Sequence, residues 1–354
     1  MPKKGLKMNI KDLIYKYLHP IKMAFYEFEI YVLGAWRFFL KQQKSQEKQM
    51  IKDYYNNTVS DTKTITNEII FTCNGFIWHG GLADRLKGAI SVYEWCKRND
   101  KIFKINFCHP FRLENYLIPN NYNWLTDDVV YNNKASIPKI CLTEQRACGK
   151  KDVQNNYEKY INQWLDNNLN IKDKQIHVYT NTRLGNKNFS ILFNELFKPS
   201  ERLQSEIDKN LKQLGDKYIS ISFRFTTIMG DFTDCAGTEY SEENKIQLLR
   251  SCAQAVRDIK KNAPLHDKIL ITADSERFLN YAKDNLKDIY IIPGKVGHID
   301  YNNSDDVNMK TFLDFMLISK AEKVYLVKNK DMYNSAFAKT AAMVNNREFE
   351  VINI

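Results

Sequence analysis

The strongest constraint in the sequence is the regular alternation of short apolar runs with longer helical patterns after residue 66. In the second half, strand Tyr218–Phe223, helix Glu242–Lys261 and strand Lys268–Thr272 follow one another. The alternation continues through helix Ser275–Asn285, strand Ile289–Ile292, helix Asp306–Lys320, strand Lys323–Val327, helix Ser335–Val344 and strand Phe349–Ile352. Strands that alternate with helices are typical of βαβ units, whose strands run parallel. The sequence therefore predicts an α/β fold.

The first half shows the same alternation less regularly. The pattern there predicts strands Glu68–Cys73, Lys104–Phe107 and Gln175–Tyr179, and helices Leu82–Lys97, Asn155–Leu169 and Phe189–Phe197. Residues 110–150 are interrupted by Pro, Asn and Trp and predict no clear element. Pro199 then precedes a helix over residues 200–214, because proline is well placed at the first turn of a helix. That helix is expected to end at Gly215.

These elements divide into two Rossmann-like halves that join near residues 198–202. We predict one domain over residues 67–198 and a second over residues 199–354, with a cleft between them. Clefts between domains and the carboxyl edges of parallel sheets are common ligand sites. Both domains are long enough to bury a core of their own.

The first 66 residues are predicted to form a basic, aromatic helical extension and a linker. Residues 1–53 carry +6 of the net charge of +10, so the remainder of the chain is nearly neutral. That distribution fits an anionic membrane surface better than a nucleic-acid partner. The longest uncharged run, Ile30–Trp36, is far shorter than the roughly 20 residues of a membrane span. The alternative is a helix that packs on its own domain or on a second subunit.

The cysteines and the chain start favour a cytoplasmic location. The 7 cysteines are dispersed, without a Cys-x-x-Cys pair, as expected for free thiols in a reducing compartment. The basic start is followed by an apolar stretch that charges interrupt, unlike a secretory signal.

The first candidate ligand loop is Gly80-Gly81, followed by Asp84 and Arg85, between a strand and a helix. Paired glycines let the backbone approach a ligand, and a helix N-terminus offers N–H groups to an anion. Arg85 would then reach into the cleft. The alternative is an ordinary strand-to-helix turn with a surface arginine.

The second candidate is Ser222 with Arg224, at the carboxyl end of strand Tyr218–Phe223. A guanidinium there is suited to a diphosphate, because it is planar, always charged and donates several hydrogen bonds. The alternative for Arg224 is a salt bridge at the strand end. On the loop that follows, Asp231 is our first choice for a general base, with Asp234 and Glu239 as rivals.

Two further pairs lie where a strand ends and a helix begins. Asp274 and Ser275 either cap a helix or, for Asp274, accept hydrogen bonds from a nucleobase. Asn334 and Ser335 precede the last helix, where the serine either faces a phosphate or caps the helix.

The order of these motifs resembles that of the GDP-fucose-dependent fucosyltransferase superfamily, which includes the α-1,2-, α-1,6- and protein O-fucosyltransferases. The likeness covers roughly residues 70–350. It implies a GT-B fold, with an acceptor-side domain at residues 67–198 and a nucleotide-sugar-binding domain at residues 199–354. GDP-fucose would be the donor, and the sugar carbon would be inverted without a metal.

The resemblance also implies roles for particular residues. Arg224 corresponds to the arginine of a His-x-Arg motif that binds the donor β-phosphate, and Asp274 to an aspartate that contacts guanine. Ser335 corresponds to a residue near the phosphates. The family loop Gly-Gly-Leu-Gly-Asp/Asn-Arg matches Gly80, Gly81, Asp84 and Arg85, with Ala83 in place of a glycine. The chain departs from the family at Ser222, which replaces the motif histidine, and at Phe225, which replaces a second arginine.

We therefore predict an inverting glycosyltransferase that moves fucose to a glycan acceptor in bacterial surface polysaccharide synthesis. Arg224 would stabilise the departing diphosphate, and Asp231 or Glu239 would accept the acceptor proton. No cofactor is expected, because the sequence has no Asp-x-Asp and its 6 histidines show no metal-ligand spacing. The alternatives are a transferase that uses another donor such as GDP-mannose, or a non-catalytic protein that binds a nucleotide sugar.

Overall fold

The structure, a computed structural model, describes most of the chain from residue 67 onward. The described residues are 67–77, 79–126, 135–142, 151–182, 187–215, 217–232, 238–263, 268–299 and 304–354, with Lys52, Tyr54, Val129 and Tyr131. The chain divides into two compact units, Met1–Asn57 and Thr58–Ile354, and the second contains every element given below. Almost all of the predicted N-terminal extension lies outside the described residues.

Strands and helices alternate along the second unit as the sequence pattern predicts. The strands are β1 Glu68–Cys73, β2 Ile102–Phe107, β3 Leu117–Pro119, β4 Ser136–Cys141, β5 Gln175–Thr180, β6 Phe197–Pro199, β7 Tyr218–Phe223, β8 Lys268–Ala273, β9 Ile289–Tyr290, β10 Lys323–Lys328 and β11 Glu348–Asn353. The helices are α1 Leu82–Arg98, α2 Lys151–Leu169, α3 Phe189–Leu196, α4 Glu201–Leu214, α5 Glu242–Asn262, α6 Glu276–Asn285, α7 Asp305–Lys320 and α8 Phe337–Val344.

Two parallel sheets form the framework. The first has the strand order β2-β1-β5-β4, and the second has the order β11-β10-β7-β8-β9. All neighbouring strands within these two sheets pair in parallel. In the second sheet, β8 and β9 extend to one side of β7, and β10 and β11 extend to the other. The strand order therefore reverses between β7 and β10, as in a Rossmann-type half.

Serine residues begin four of the helices in the described part of the chain. The hydroxyls of Ser200, Ser241, Ser275 and Ser304 accept main-chain N–H groups at the starts of α4, α5, α6 and α7. These N-caps satisfy donors that a helix leaves without an internal partner. At the other end of α4, Gly215 has φ +85°, which a residue with a side chain rarely adopts.

The sequence predictions differ from the structure mainly in short strands. The strands β3, β4 and β6 were not predicted, and β9 has two residues rather than four. The helix predicted to run through Phe197 ends one residue earlier. Phe197 is extended, with φ −124° and ψ 137°, and pairs with Pro119 in the antiparallel ribbon β3-β6. Tertiary pairing has overridden the local apolar pattern there.

One hydrophobic core connects the two sheets. It includes side chains from the first sheet, from α7 and α8, and from the second-sheet strands β7, β8 and β10. The rings of Tyr116 and Phe312 stack with their centroids 4.5 Å apart. The hydroxyl of Tyr116 donates to Oδ1 of Asp305 at 2.7 Å. Residues before and after 198 thus share a buried interface, and the predicted domain boundary near residues 198–202 stays a prediction.

Candidate functional site

The reversal of strand order between β7 and β10 marks a candidate site. In open parallel sheets, ligands bind outside the carboxyl ends of the strands at such a switch point. Arg224 directly follows β7, and the loop with Asn334 and Ser335 follows β10. The N–H of Tyr333 donates to the carbonyl of Arg224 at 3.1 Å and joins the two loops. The fold thus brings together two motifs that are far apart in the sequence.

Arg224 is held in place while its side chain stays partly exposed. Its Nη1 lies 3.2 Å from Oδ2 of Asp274, and its side chain is 19% exposed. The guanidinium also lies 4.9 Å from the centroid of the Phe232 ring, within cation–π range. The salt bridge that the sequence left as an alternative is therefore present. A guanidinium is planar and donates up to five hydrogen bonds, so it is suited to an anion such as a diphosphate.

Asp274 is buried and accepts hydrogen bonds from its own chain. Its Oδ1 accepts the N–H of Phe225 at 2.7 Å, and its Oδ2 accepts the N–H of Thr226 at 2.8 Å. Thr226 has φ +55°, so these bonds stabilise a backbone conformation that is unusual for a β-branched residue. Burial raises the pKa of Asp274, and Arg224 and the two amide donors act in the opposite direction. The carboxylate shapes the turn after β7, and its contact with guanine stays a prediction.

Ser222, which occupies the place of the family histidine, hydrogen-bonds within the sheet. Its hydroxyl lies 2.7 Å from the hydroxyl of Thr272 on the neighbouring strand. Both side chains are buried. This pair satisfies two polar groups that would otherwise be costly to bury. The predicted contact between Ser222 and the donor is not tested by this arrangement and stays a prediction.

Asp231 lies at the N-terminus of α6. Its Oδ2 accepts the hydroxyl of Ser275 at 2.9 Å and the N–H of Arg277 at 2.7 Å. The hydroxyl of Ser275 in turn accepts the N–H of Phe278 at 3.1 Å, which confirms that Ser275 caps the helix. A carboxylate at a helix N-terminus is favoured by the exposed N–H groups. Asp231 therefore joins the loop after β7 to α6, and its role as a base stays a prediction.

Glu239, the rival base, participates in a cluster of charges. Its Oε1 lies 2.5 Å from Nζ of Lys245, which also contacts Oε1 of Glu242 at 2.8 Å. The other carboxylate oxygen of Glu242, Oε2, lies 2.6 Å from Nη2 of Arg277. Asp234 lies outside the described residues. These contacts fix the far end of the loop that begins at Arg224.

The glycine loop before α1 is held by hydrogen bonds from a buried arginine. Arg85 is 2% exposed, and its Nε donates to the carbonyl of Gly80 at 2.8 Å. Its Nη1 donates to the carbonyl of His109 at 2.7 Å. The alternative of a surface arginine is therefore wrong. The guanidinium braces the loop between β1 and α1, and its predicted contact with the donor stays a prediction.

Gly80 and Gly81 form the tight entry into α1. Gly80 has φ +81°, and Gly81 is the N-terminal cap residue of the helix. A side chain at Gly80 would meet Oδ2 of Asp84 at 2.9 Å. The Oδ1 of Asp84 forms a 2.6 Å salt bridge with Lys87 one turn later. The Asp84 side chain thus packs against Gly80 in the turn.

His298 was missed by the sequence analysis. A methyl group added at Gly81 would lie 3.8 Å from Nε2 of His298, on the loop that follows β9. The carboxyl-end loops of the two sheets therefore approach each other, as predicted for a cleft. The sequence around His298 contains no motif that would have indicated this contact.

Ser335 forms local hydrogen bonds just before α8. Its hydroxyl accepts the N–H of Phe337 at 3.2 Å, and its N–H donates to the carbonyl of Tyr333 at 2.9 Å. The N-cap position of α8 is Ala336, without a side-chain cap, so Ser335 lies one residue before the cap and α8 begins two residues later than predicted. Asn334 is exposed beside it. Contacts of Asn334 and Ser335 with a phosphate stay predictions.

Two features are not observed in the part of the chain that the structure describes. Within these residues, no helix has the length and apolar character needed to cross a membrane. The same residues contain no group of three or more His, Cys, Asp or Glu side chains arranged to hold a metal ion.

The protein has an α/β fold of the GT-B type, with two parallel sheets and a reversal of strand order of the kind at which ligands bind. The crystal structure of fucosyltransferase NodZ from Bradyrhizobium matches this chain with a TM-score of 0.50 at 13% identity, covering 79% of this chain and 92% of that one. A crystal structure of POFUT1 in complex with GDP matches with a TM-score of 0.47 at 11% identity, covering 83% and 99% of the two chains. No protein-family model matches the sequence. No curated protein matches it either. The likeness to NodZ confirms the predicted fold, and the resemblance to fucosyltransferases is confirmed at the level of the fold.

Proposed function

We propose that this protein is a glycosyltransferase that moves a sugar from a nucleoside diphosphate to a glycan acceptor. The observation that carries the proposal is the position of Arg224, partly exposed at the switch point between β7 and β10. The fold shared with NodZ supports a transferase of this type. The order of the sequence motifs supports GDP-fucose as the donor.

Arg224 would bind the diphosphate of the donor. Its salt bridge with Asp274 limits the freedom of the guanidinium, so less conformational entropy is lost when an anion binds. Asn334 and Ser335 lie on the neighbouring loop, at the start of α8, where N–H groups favour negative charge. Gly80 and Gly81 would approach the donor from the first sheet.

The reaction we propose inverts the sugar carbon and uses no metal. The acceptor oxygen forms a bond to the anomeric carbon while the bond from that carbon to the β-phosphate oxygen breaks. GDP leaves with the electron pair, and Arg224 stabilises the negative charge that develops on it. The acceptor proton passes to a carboxylate, for which Asp231, Glu239 and Asp234 are the candidates.

The finer assignments follow from the sequence. The domain at residues 67–198 would bind the glycan acceptor, and the product would belong to a bacterial surface polysaccharide. The enzyme would act in the cytoplasm, and residues 1–53 would contact the anionic membrane surface. Sedimentation of the full chain and of a variant that lacks residues 1–53 with anionic liposomes tests the last point. Equal sedimentation would contradict it.

The proposal is tested by titrating the full chain with GDP, GDP-fucose, GDP-mannose and UDP-galactose in the absence of metal. Arg224→Ala should weaken binding of GDP-fucose by about 100-fold, the magnitude expected for loss of a charge-assisted hydrogen bond. Arg224→Lys keeps a positive charge near Asp274 and separates loss of the guanidinium fork from loss of folding. Arg257→Ala, on the exposed face of α5, is the matched control.

Two outcomes would contradict parts of the proposal, and a third measurement tests turnover. If Arg224→Ala binds each nucleotide as tightly as the wild-type protein does, Arg224 does not bind the diphosphate. A preference for GDP-mannose would exclude fucose as the donor sugar. Release of GDP from GDP-fucose, measured with a panel of oligosaccharides, separates a transferase from a protein that only binds the nucleotide sugar.

A further inference from the structure

Tyr333 presents an aromatic ring at the carboxyl edge of the second sheet. It follows β10 and is 40% exposed. Among the large apolar side chains that are exposed in the described residues, it is the one aromatic ring. An aromatic ring at the carboxyl edge of an open parallel sheet lies where such folds bind their ligands.

The main chain around Tyr333 is fixed on both sides. Its N–H donates to the carbonyl of Arg224 at 3.1 Å, and its carbonyl accepts the N–H of Ser335 at 2.9 Å. Before it, Oδ1 of Asn329 accepts the N–H of Met332 at 2.8 Å, and the Met332 side chain is buried. The loop thus presents the ring from a backbone that is already ordered, which lowers the entropic cost of binding.

The loop of Tyr333 is hydrogen-bonded directly to the residue that would hold the diphosphate. A nucleoside diphosphate bound at Arg224 carries its flat base on the ribose, away from the phosphates. Aromatic side chains bind such bases by stacking, and every base has a face to stack on. We propose that Tyr333 stacks against the nucleobase of the donor. This inference rests on the proposed function.

Stacking makes a distinct prediction about the nucleotide. Stacking strengthens binding of the base without recognising its hydrogen-bonding edge. Removal of the ring should therefore weaken the binding of GDP, ADP and UDP by similar factors. Binding of pyrophosphate, which has no base, should not change. The preference among bases would be set by other groups than Tyr333.

The test is calorimetric titration of the full chain with GDP, ADP, UDP and pyrophosphate. Tyr333→Ala should weaken GDP binding by about tenfold or more, the equivalent of base–aromatic stacking, and leave pyrophosphate binding unchanged. Tyr333→Phe keeps the ring and should bind GDP as the wild type does. Ile191→Ala removes an exposed apolar side chain on α3 and is the matched control. Thermal unfolding of each variant shows whether it is folded.

The possible results separate this inference from the proposed function. Equal GDP affinity of Tyr333→Ala and the wild type overturns the stacking and leaves the proposed function intact. A parallel loss of pyrophosphate binding also overturns it, since the ring would then only position Arg224. Weaker binding of GDP-fucose with unchanged binding of GDP would place the ring on the sugar instead. A wild-type protein that binds none of the nucleotides contradicts the proposed function and the stacking together.

Discussion

The carboxylate of Asp274 lies 3.2 Å from the guanidinium of Arg224, although the two residues follow different strands of the second sheet. The same carboxylate accepts the two main-chain N–H groups that directly follow Arg224. Asp274 therefore holds both the guanidinium of Arg224 and the main chain that directly follows it. The sequence assigned Asp274 to the base of the nucleotide, whereas the structure gives it a structural role beside Arg224.

This relationship predicts that Asp274→Asn is strongly destabilising. An amide NH₂ group cannot accept an N–H, so one main-chain donor loses its partner and the arginine loses its counter-charge. We expect the free energy of unfolding to fall by about 2–4 kcal/mol, measured by urea denaturation. Asp288→Asn is the matched control, because it makes the same change in a carboxylate that pairs with Lys260 at the surface. Equal effects of the two substitutions would contradict the structural role of Asp274.

The fold was largely predictable because apolar periodicity decides most of its elements. Strand β7 was predicted with the bounds that the structure has. Its six residues are all buried, and apolar side chains alternate with two small serines. Strand β6 could not be predicted, because Phe197 leaves a helical pattern only to pair with a strand about 80 residues earlier. Such long-range pairing is not visible in a local window.

The candidate site was predictable in position and less so in contacts. The strand-end location of Arg224 and the cap at Ser275 follow from local rules about sheets and helices. The buried orientation of Arg85 could not be predicted, because it depends on the carbonyl of His109 on a separate loop. The approach of His298 to Gly81 depends in the same way on how two sheets pack.

Arg85 braces the loop between β1 and α1, so its removal should destabilise the fold in addition to any effect on donor binding. Arg85→Met should lower the free energy of unfolding by about 2–4 kcal/mol, because the carbonyls of Gly80 and His109 lose a buried donor. Arg98→Met, at the exposed end of the same helix, is the control and should change it by less than about 0.5 kcal/mol. A variant of Arg85 with wild-type stability that no longer binds GDP would support the donor-binding role instead.

Two glycines of α1 are predicted to respond differently to alanine. A Cβ at Gly88 would lie 2.1 Å from the carbonyl oxygen of Thr180, so the helix would have to move away from the first sheet. Gly88→Ala should cost about 1–3 kcal/mol or more by overpacking, although the same change usually stabilises a helix. At Gly81 the nearest atom is 3.8 Å away, and Gly81→Ala should cost less than about 1 kcal/mol as a poorer cap. Thermal and urea unfolding measure both, and equal losses would contradict the close packing at Gly88.

Two buried histidines make the protein sensitive to acid. Burial lowers the pKa of His79 and that of His177 from 6.5 to about 3. Between about pH 3 and pH 6.5 the unfolded chain binds protons at these histidines that the folded chain does not. The free energy of unfolding is therefore highest above about pH 6.5 with respect to these groups and falls as the pH decreases. Once the pH is well below 6.5, the two residues together should reduce the free energy of unfolding by about 2.7 kcal/mol for each pH unit.

Urea denaturation at several values between about pH 7 and pH 5 measures this slope in the range where histidine titrates before most carboxylates. His177→Leu removes one of the two groups and should reduce the slope by about half. His79→Leu should do the same independently, because each imidazole contributes one proton. A slope that is unchanged in both variants would show that acid sensitivity arises elsewhere in the chain.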